Sequence, residues 1–145
     1  MKKQMIWKMI LLVLPLVVVM IASNPTSIMV YDGETLTYTS WLQTVPDSTV
    51  GWCAPAAVLM NYCLFALAVF YALREKGGCL KAMSLLALAA ACVAVMPIMI
   101  QSDPKIVPNV FGAIVLGAEG IVARVVRNRA AGKAKEKSAG PRIKR

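Results

Sequence analysis

Residues 54–73 read APAAVLMNYCLFALAVFYAL and residues 82–100 read AMSLLALAAACVAVMPIMI; neither run holds a charge, and Arg74, Glu75, Lys76 and Lys81 lie between them. A helix rises about 1.5 Å per residue and the hydrocarbon core of a bilayer is about 30 Å thick, so each run has the length of one crossing. Backbone amides in lipid find no water, so each must be bonded within its own segment and a helix is the expected form. The break at Glu75-Lys76-Gly77-Gly78 is short enough to make the two helices an antiparallel hairpin.

Two further apolar runs flank this pair. Met9–Ala22 is uncharged and reaches back to Met5 if Lys8 is tolerated; Ile106–Ala123 carries one acid, Glu119. The expected fold is therefore an all-α membrane domain over residues 1–127, an antiparallel bundle of four transmembrane helices at about 5–22, 54–73, 82–100 and 106–127. Composition agrees: 59% of residues are hydrophobic, 16% are charged and the mean hydropathy is +0.66, whereas soluble domains run to about 45–50% apolar and roughly 25% charged. Pro15 is central enough to kink the first helix, while Pro97 sits near the end of the third. The first run has the layout of a signal peptide, but neither Met20 nor Ile21 suits the −3 position of a cleavage site, and an uncleaved anchor fits better.

Cations are distributed unevenly. Lys2, Lys3 and Lys8 precede the uncharged run that starts at Met9, Arg74, Lys76 and Lys81 join the second run to the third, and nine Lys and Arg follow Ala123. Only Lys105 of the 16 falls on the other side, and residues 23–53 contain none. The positive-inside rule then predicts both termini in the cytoplasm. Trp7 and Tyr71 at one interface and Trp52 at the other fit the aromatic belts. A bacterial inner (plasma) membrane is the expected setting, from the small size and the absence of a glycosylation sequon; Asn24 is followed by Pro25.

The outer loop, residues 23–53, reads as a β-hairpin at 28–38 around Asp32-Gly33, with Tyr31 opposite Glu34 and Met29 opposite Leu36. An isolated hairpin is marginal in water, so it is expected to rest on the helix ends, on a third strand near Trp41–Val45, or on a partner. Tyr31, Tyr38 and Trp41 form the candidate partner surface, and Asp47 or Ser48 is a candidate cap for an early helical turn. Residues 128–145 are basic and poor in apolar side chains, and are expected to be disordered beyond a turn or two of helix ending at Gly132. Lys133, Lys135, Lys137, Arg142, Lys144 and Arg145 are the candidates for binding anionic lipid. No aromatic interleaving supports a specific nucleic-acid site.

Glu119 is the one ionisable residue well inside a run. Placed a turn from the cytoplasmic end near Arg124, Lys8, Arg74 and Lys81, it is expected to pair or snorkel there; the functional reading has it titrating or binding a cation. Asn61 and Asn109 read as interhelical packing polarity, and would line a solute path, with Tyr62, only on converging. Gly112, Ala113, Gly117, Ala118 and Gly120, with Ala87, Ala89, Ala90, Ala91 and Ala94, give two helices small faces for packing within the bundle rather than between copies. The chain has no histidine and four cysteines with no metal-ligand spacing. Cys63 and Cys92 share a depth and read as buried apolar filler, and Cys79 is a weak acylation candidate. No metal, cofactor or catalytic residue is expected, and an enzyme has no chemical support.

Four crossings, a β-rich first outer loop, and Trp41 followed by Gly51-Trp52-Cys53 with Cys63 resemble the claudin-type pattern over about 25 residues. That resemblance implies an outer-loop disulfide, but Cys63 here lies inside an apolar run and the loop is short, so no family is assigned. The functional expectation is a non-enzymatic accessory, scaffold or regulatory subunit that meets a membrane-protein partner or a second copy of itself. The competing expectation is an oligomeric transporter or channel that uses Glu119.

Overall fold

The computed structural model describes residues 2–45, 48–100, 105–108 and 110–138. Its elements are α1 (Lys2–Ala22), β1 (Ile28–Asp32), β2 (Thr35–Thr39), α2 (Cys53–Arg74), α3 (Gly77–Met99), β3 (Lys105–Pro108) and α4 (Val110–Ser138). Each helix packs on the next in sequence and α1 closes against α4, which arranges the four as a square. Lys8 at the start of α1 meets Glu75 just past the end of α2, and Arg129 late in α4 lies over the Trp7 ring. Neighbouring helices are thus antiparallel.

Three helices are long and apolar enough to cross a membrane: Gln4–Ala22, Cys53–Arg74 and Gly77–Met99. Their outward residues, among them Met9, Leu16, Leu59, Leu73 and Leu85, are exposed and apolar, while Asn61, Ser84 and Glu119 are buried. That distribution suits lipid around the bundle, because an apolar exterior costs nothing there and buried polar side chains can act between helices. α2 and α3 are joined through Glu75 and Lys76. Glu75 takes a left-handed conformation (φ 52°) and its N–H bonds the Tyr71 carbonyl at 2.8 Å, ending α2 where glycine is the usual choice.

The fourth helix departs from the expected range. It starts at Val110, not at 106, because Pro108 lacks an amide hydrogen and favours an extended residue before it. Ile106 and Val107 belong instead to β3, so the connection after α3 is not a simple short turn. Gly132 does not end α4, and the expectation of disorder from about Asn128 is corrected as far as Ser138. The alanines and long straight-chain residues of 130–137 are good helix formers, and they extend a helix already nucleated by packing.

The three strands form one antiparallel sheet in the order β2-β1-β3. The third strand is therefore β3, from the connection after α3, and not the stretch near Trp41–Val45. Tyr31 pairs with Leu36 and Met29 with Tyr38, a two-residue correction to the expected register. Asp32 pairs with Thr35, which leaves Gly33-Glu34 as the loop; Gly33 has φ +59° at the first loop position, where a type II′ turn calls for glycine. A shift of two residues keeps every side chain on its expected face.

Candidate functional site

Two places gather the chemistry, the interior of the bundle and the sheet at one end of it, called the outer end after the expectation from the cations; the opposite end is called the inner end. In α4, Ala113, Leu116, Glu119, Gly120, Ala123 and Val126 are buried at helical spacing, so Glu119 lies on the stripe that faces the other helices. The helix stays packed past Arg124, since Val126 is buried and Arg129 contacts α1. Glu119 is therefore about 13 Å from Val110 and about 15 Å from Arg129, midway along the packed part of the helix. Both carboxylate oxygens are buried and have no hydrogen-bond partner among the described residues.

This overturns the expected pairing of Glu119 at the inner end. Lys8 is taken up by Glu75 and by the Ala72 carbonyl at 3.2 Å, while Arg74, Lys81 and Arg124 are exposed. Asn61 is also fully buried; its Nδ2 donates to the Pro15 carbonyl at 3.0 Å and its Oδ1 has no partner. Tyr62 is half-exposed on the outside of α2 and does not join it. Asn109 lies outside the described residues.

At the outer end, register sorts the sheet into two faces. Ile28, Val30 and Ile106 are buried toward the bundle, and Met29, Tyr31, Leu36, Tyr38 and Val107 share the opposite face, each between 38% and 53% exposed. Met29 has Tyr38 on one side and Val107 on the other, and Tyr31 is opposite Leu36. Trp41 does not belong to this surface, contrary to expectation. It is fully buried: its Nε1 donates to the Ser27 carbonyl at 3.3 Å, its backbone N–H to Ala22, and its ring lies on Gly112. A Cβ at Gly112 would fall 2.6 Å from that ring, so glycine is what lets the indole close the bundle.

The inner end is polar. Lys8 and Glu75 form an ion pair, Gln4 donates to Glu75 at 3.4 Å, and Arg129 lies 4.8 Å from the Trp7 ring centre. The Lys8 ammonium beside Glu75 holds its carboxyl below the usual carboxylate range. Tyr71, expected at the interface, is buried.

Of the small residues, Gly120 packs on α3 at Ser84, Ala87 and Leu88, whereas Gly117 faces open space; Ala87, Ala90 and Ala94 are buried. The packing within the bundle thus runs through Gly112, Gly120 and the α3 alanines. Cys63 and Cys92 are exposed on the outside of their helices rather than buried, Cys53 is buried, and all four cysteines are free. The outer-loop disulfide of the claudin-type pattern is absent between Cys53 and Cys63. No group of three or more His, Cys, Asp or Glu able to hold a metal occurs among the described residues. Lys133, Lys135 and Lys137 lie on α4; Arg142, Lys144 and Arg145 fall outside the described residues. No family model, curated protein or solved structure matches this chain.

Proposed function

We propose that the chain is an integral membrane protein of four crossings that acts by contact, as a non-enzymatic accessory, scaffold or regulatory subunit. The observation that carries this reading is the outward face of the sheet: Met29, Tyr31, Leu36, Tyr38 and Val107 in one cross-strand cluster. Contiguous apolar side chains rimmed by polar residues mark interaction surfaces. Glu34, exposed in the hairpin loop, stands as a polar residue at one end of the cluster.

The fourth crossing is part of the proposal. From Val110 to the level of Arg129, α4 covers about 29 Å. Its exposed residues Val110, Phe111, Ile114, Ile121 and Val125 make an apolar stripe, and Arg124 can snorkel to the headgroups. The cation asymmetry favours the sheet outside a plasma membrane and both termini in the cytoplasm, with the basic end of α4 on anionic lipid. Reporter fusions at Ser40 and Ala131 then fall in opposite compartments; a shared compartment removes the fourth crossing.

A photo-reactive residue in place of Tyr38, in native membranes, tests the contact reading. It is expected to give one discrete protein adduct, lost when Met29 and Tyr31 become serine, while the same probe at Leu59 yields lipid adducts. Lipid adducts alone at both positions overturn it. The second reading, an oligomeric transporter or channel, draws on Glu119 at the centre of the bundle. Proteoliposome flux abolished by Glu119→Gln supports it, and flux equal to that of empty vesicles removes it.

A further inference from the structure

Two rulers fix the depth of Glu119. Trp7 and Arg129 are in contact, and ten residues back along α4 correspond to about 15 Å, which is the level of Val17 on α1. From the other end, Trp41 links Gly112 to Ala22, and seven residues, about 10 Å, bring Glu119 level with Pro15. Pro15 is the residue whose carbonyl receives Asn61 Nδ2. Glu119 and Asn61 therefore occupy one layer of the bundle, fully buried, on helices at opposite corners of the square.

Among the described residues, the buried side-chain atoms without any partner in that layer are all oxygens. Asn61 has committed a donor to Pro15 and keeps an open acceptor, Oδ1; Glu119 has two open acceptors, Oε1 and Oε2. Against these three oxygens stands one donor, the second Nδ2 hydrogen of Asn61, so the layer is short of donors and holds no counter-charge. A carboxylate here would also be a buried charge without a counter-charge, which is far less favourable than the neutral acid.

Among the described residues, no neighbouring element supplies a cation. On α1 the nearest is Lys8, bound to Glu75. α2 offers Tyr62 and Cys63 on its exposed side and Tyr71 about 15 Å nearer the inner end. Lys81 and Cys92 of α3 are exposed, as is Arg124 of α4. Three oxygens are too few for a cage around a metal ion, which takes about six oxygen ligands. One proton meets the need: it neutralises Glu119 and converts one carboxyl oxygen into a donor.

We propose that Glu119 and Asn61 form an intramembrane proton-binding site, in which the Glu119 carboxyl holds the proton and Asn61 Oδ1 accepts from it. The site stands independently of the outer sheet and of either reading of function. It binds a proton whether or not the chain conducts one.

Dicyclohexylcarbodiimide tests this on the full chain in vesicles of phosphatidylcholine and phosphatidylglycerol. This lipid-soluble reagent adds to a protonated carboxyl, and acyl transfer leaves a stable N-acylurea that peptide mass mapping locates. The expected result is one adduct on Glu119, absent in Glu119→Gln, falling as pH rises and unaffected by sodium or potassium. Infrared spectra are expected to show a carboxylic-acid carbonyl band that is lost in Glu119→Gln and moves to higher frequency in Asn61→Leu. No adduct on Glu119, or equal labelling by a water-soluble carbodiimide, overturns the proposal. Protection by an alkali cation replaces the proton with a metal ion, and a band unmoved in Asn61→Leu removes Asn61 from the site. Labelling of the unaltered chain decides the main point even if a variant fails to fold.

Discussion

The two ends of the bundle are closed by opposite means. At the outer end a fully buried indole, Trp41, ties Ser27 and Ala22 to Gly112, and the sheet covers it. At the inner end the ties are Lys8–Glu75 and Arg129 on Trp7, half-exposed or exposed. In the proposed membrane setting, apolar packing between them gains little from the hydrophobic effect, since lipid tails are as apolar as leucine. At the outer end the alternative environment of the indole is water, so burial counts in full. The ends should therefore differ in energetic weight, and substitutions can measure by how much.

Trp41→Ala should have the largest effect. It removes a fully buried indole and leaves the Ser27 carbonyl without its donor, for a loss of about 3–5 kcal/mol in reversible unfolding from detergent. Gly112→Ala attacks the same contact from the other side. The added methyl meets the ring at 2.6 Å, and overpacking of this kind costs about 1–3 kcal/mol. In a Trp41→Ala background the methyl enters vacated space, so the double variant should be less destabilised than the sum of the singles. Strict additivity would show that Trp41 does not pack on Gly112 as described.

How far these ends are legible in the sequence depends on whether a signal is local. α1, α2 and α3 are readable because a long uncharged run in lipid permits only a helix. The start of α4 is hidden because Ile106-Val107 suits a strand as well as a helix; Pro108 is the signal that separates them. Trp41 is not legible at all, because nothing in its neighbours distinguishes a displayed indole from one that α4 comes back to cover. Glu119 misleads for a related reason. Arg124 looks like the end of a crossing, but packing continues to Val126 and the acid is left at mid-depth.

Arg129→Ala examines the inner end at moderate scale. An exposed cation–π contact contributes about 0.5–1 kcal/mol, so the loss should be well below that of Trp41→Ala. Trp7 fluorescence should shift in the variant, with Arg129→Lys retaining part of the effect because the guanidinium stacks better than an ammonium. A loss as large as that at Trp41 would abolish the asymmetry between the ends.

The smallest effect expected is at Glu75, and its sign with pH is fixed. Lys8 lowers the folded-state pKa of this carboxyl, so its contribution is present above the unfolded value and fades as pH falls through the folded value. Unfolding of the wild type and Glu75→Gln should therefore differ at neutral pH and converge in acid, and the difference should shrink with salt because the pair is exposed. Backbone adds a second term, since Glu75 holds a left-handed φ of 52°. Glu75→Gly loses the ion pair but relieves the backbone, whereas Glu75→Ala loses the pair and keeps the strain. Glycine should rank above alanine at every pH. Alanine ranking equal to glycine would mean that Glu75 is not held left-handed in solution.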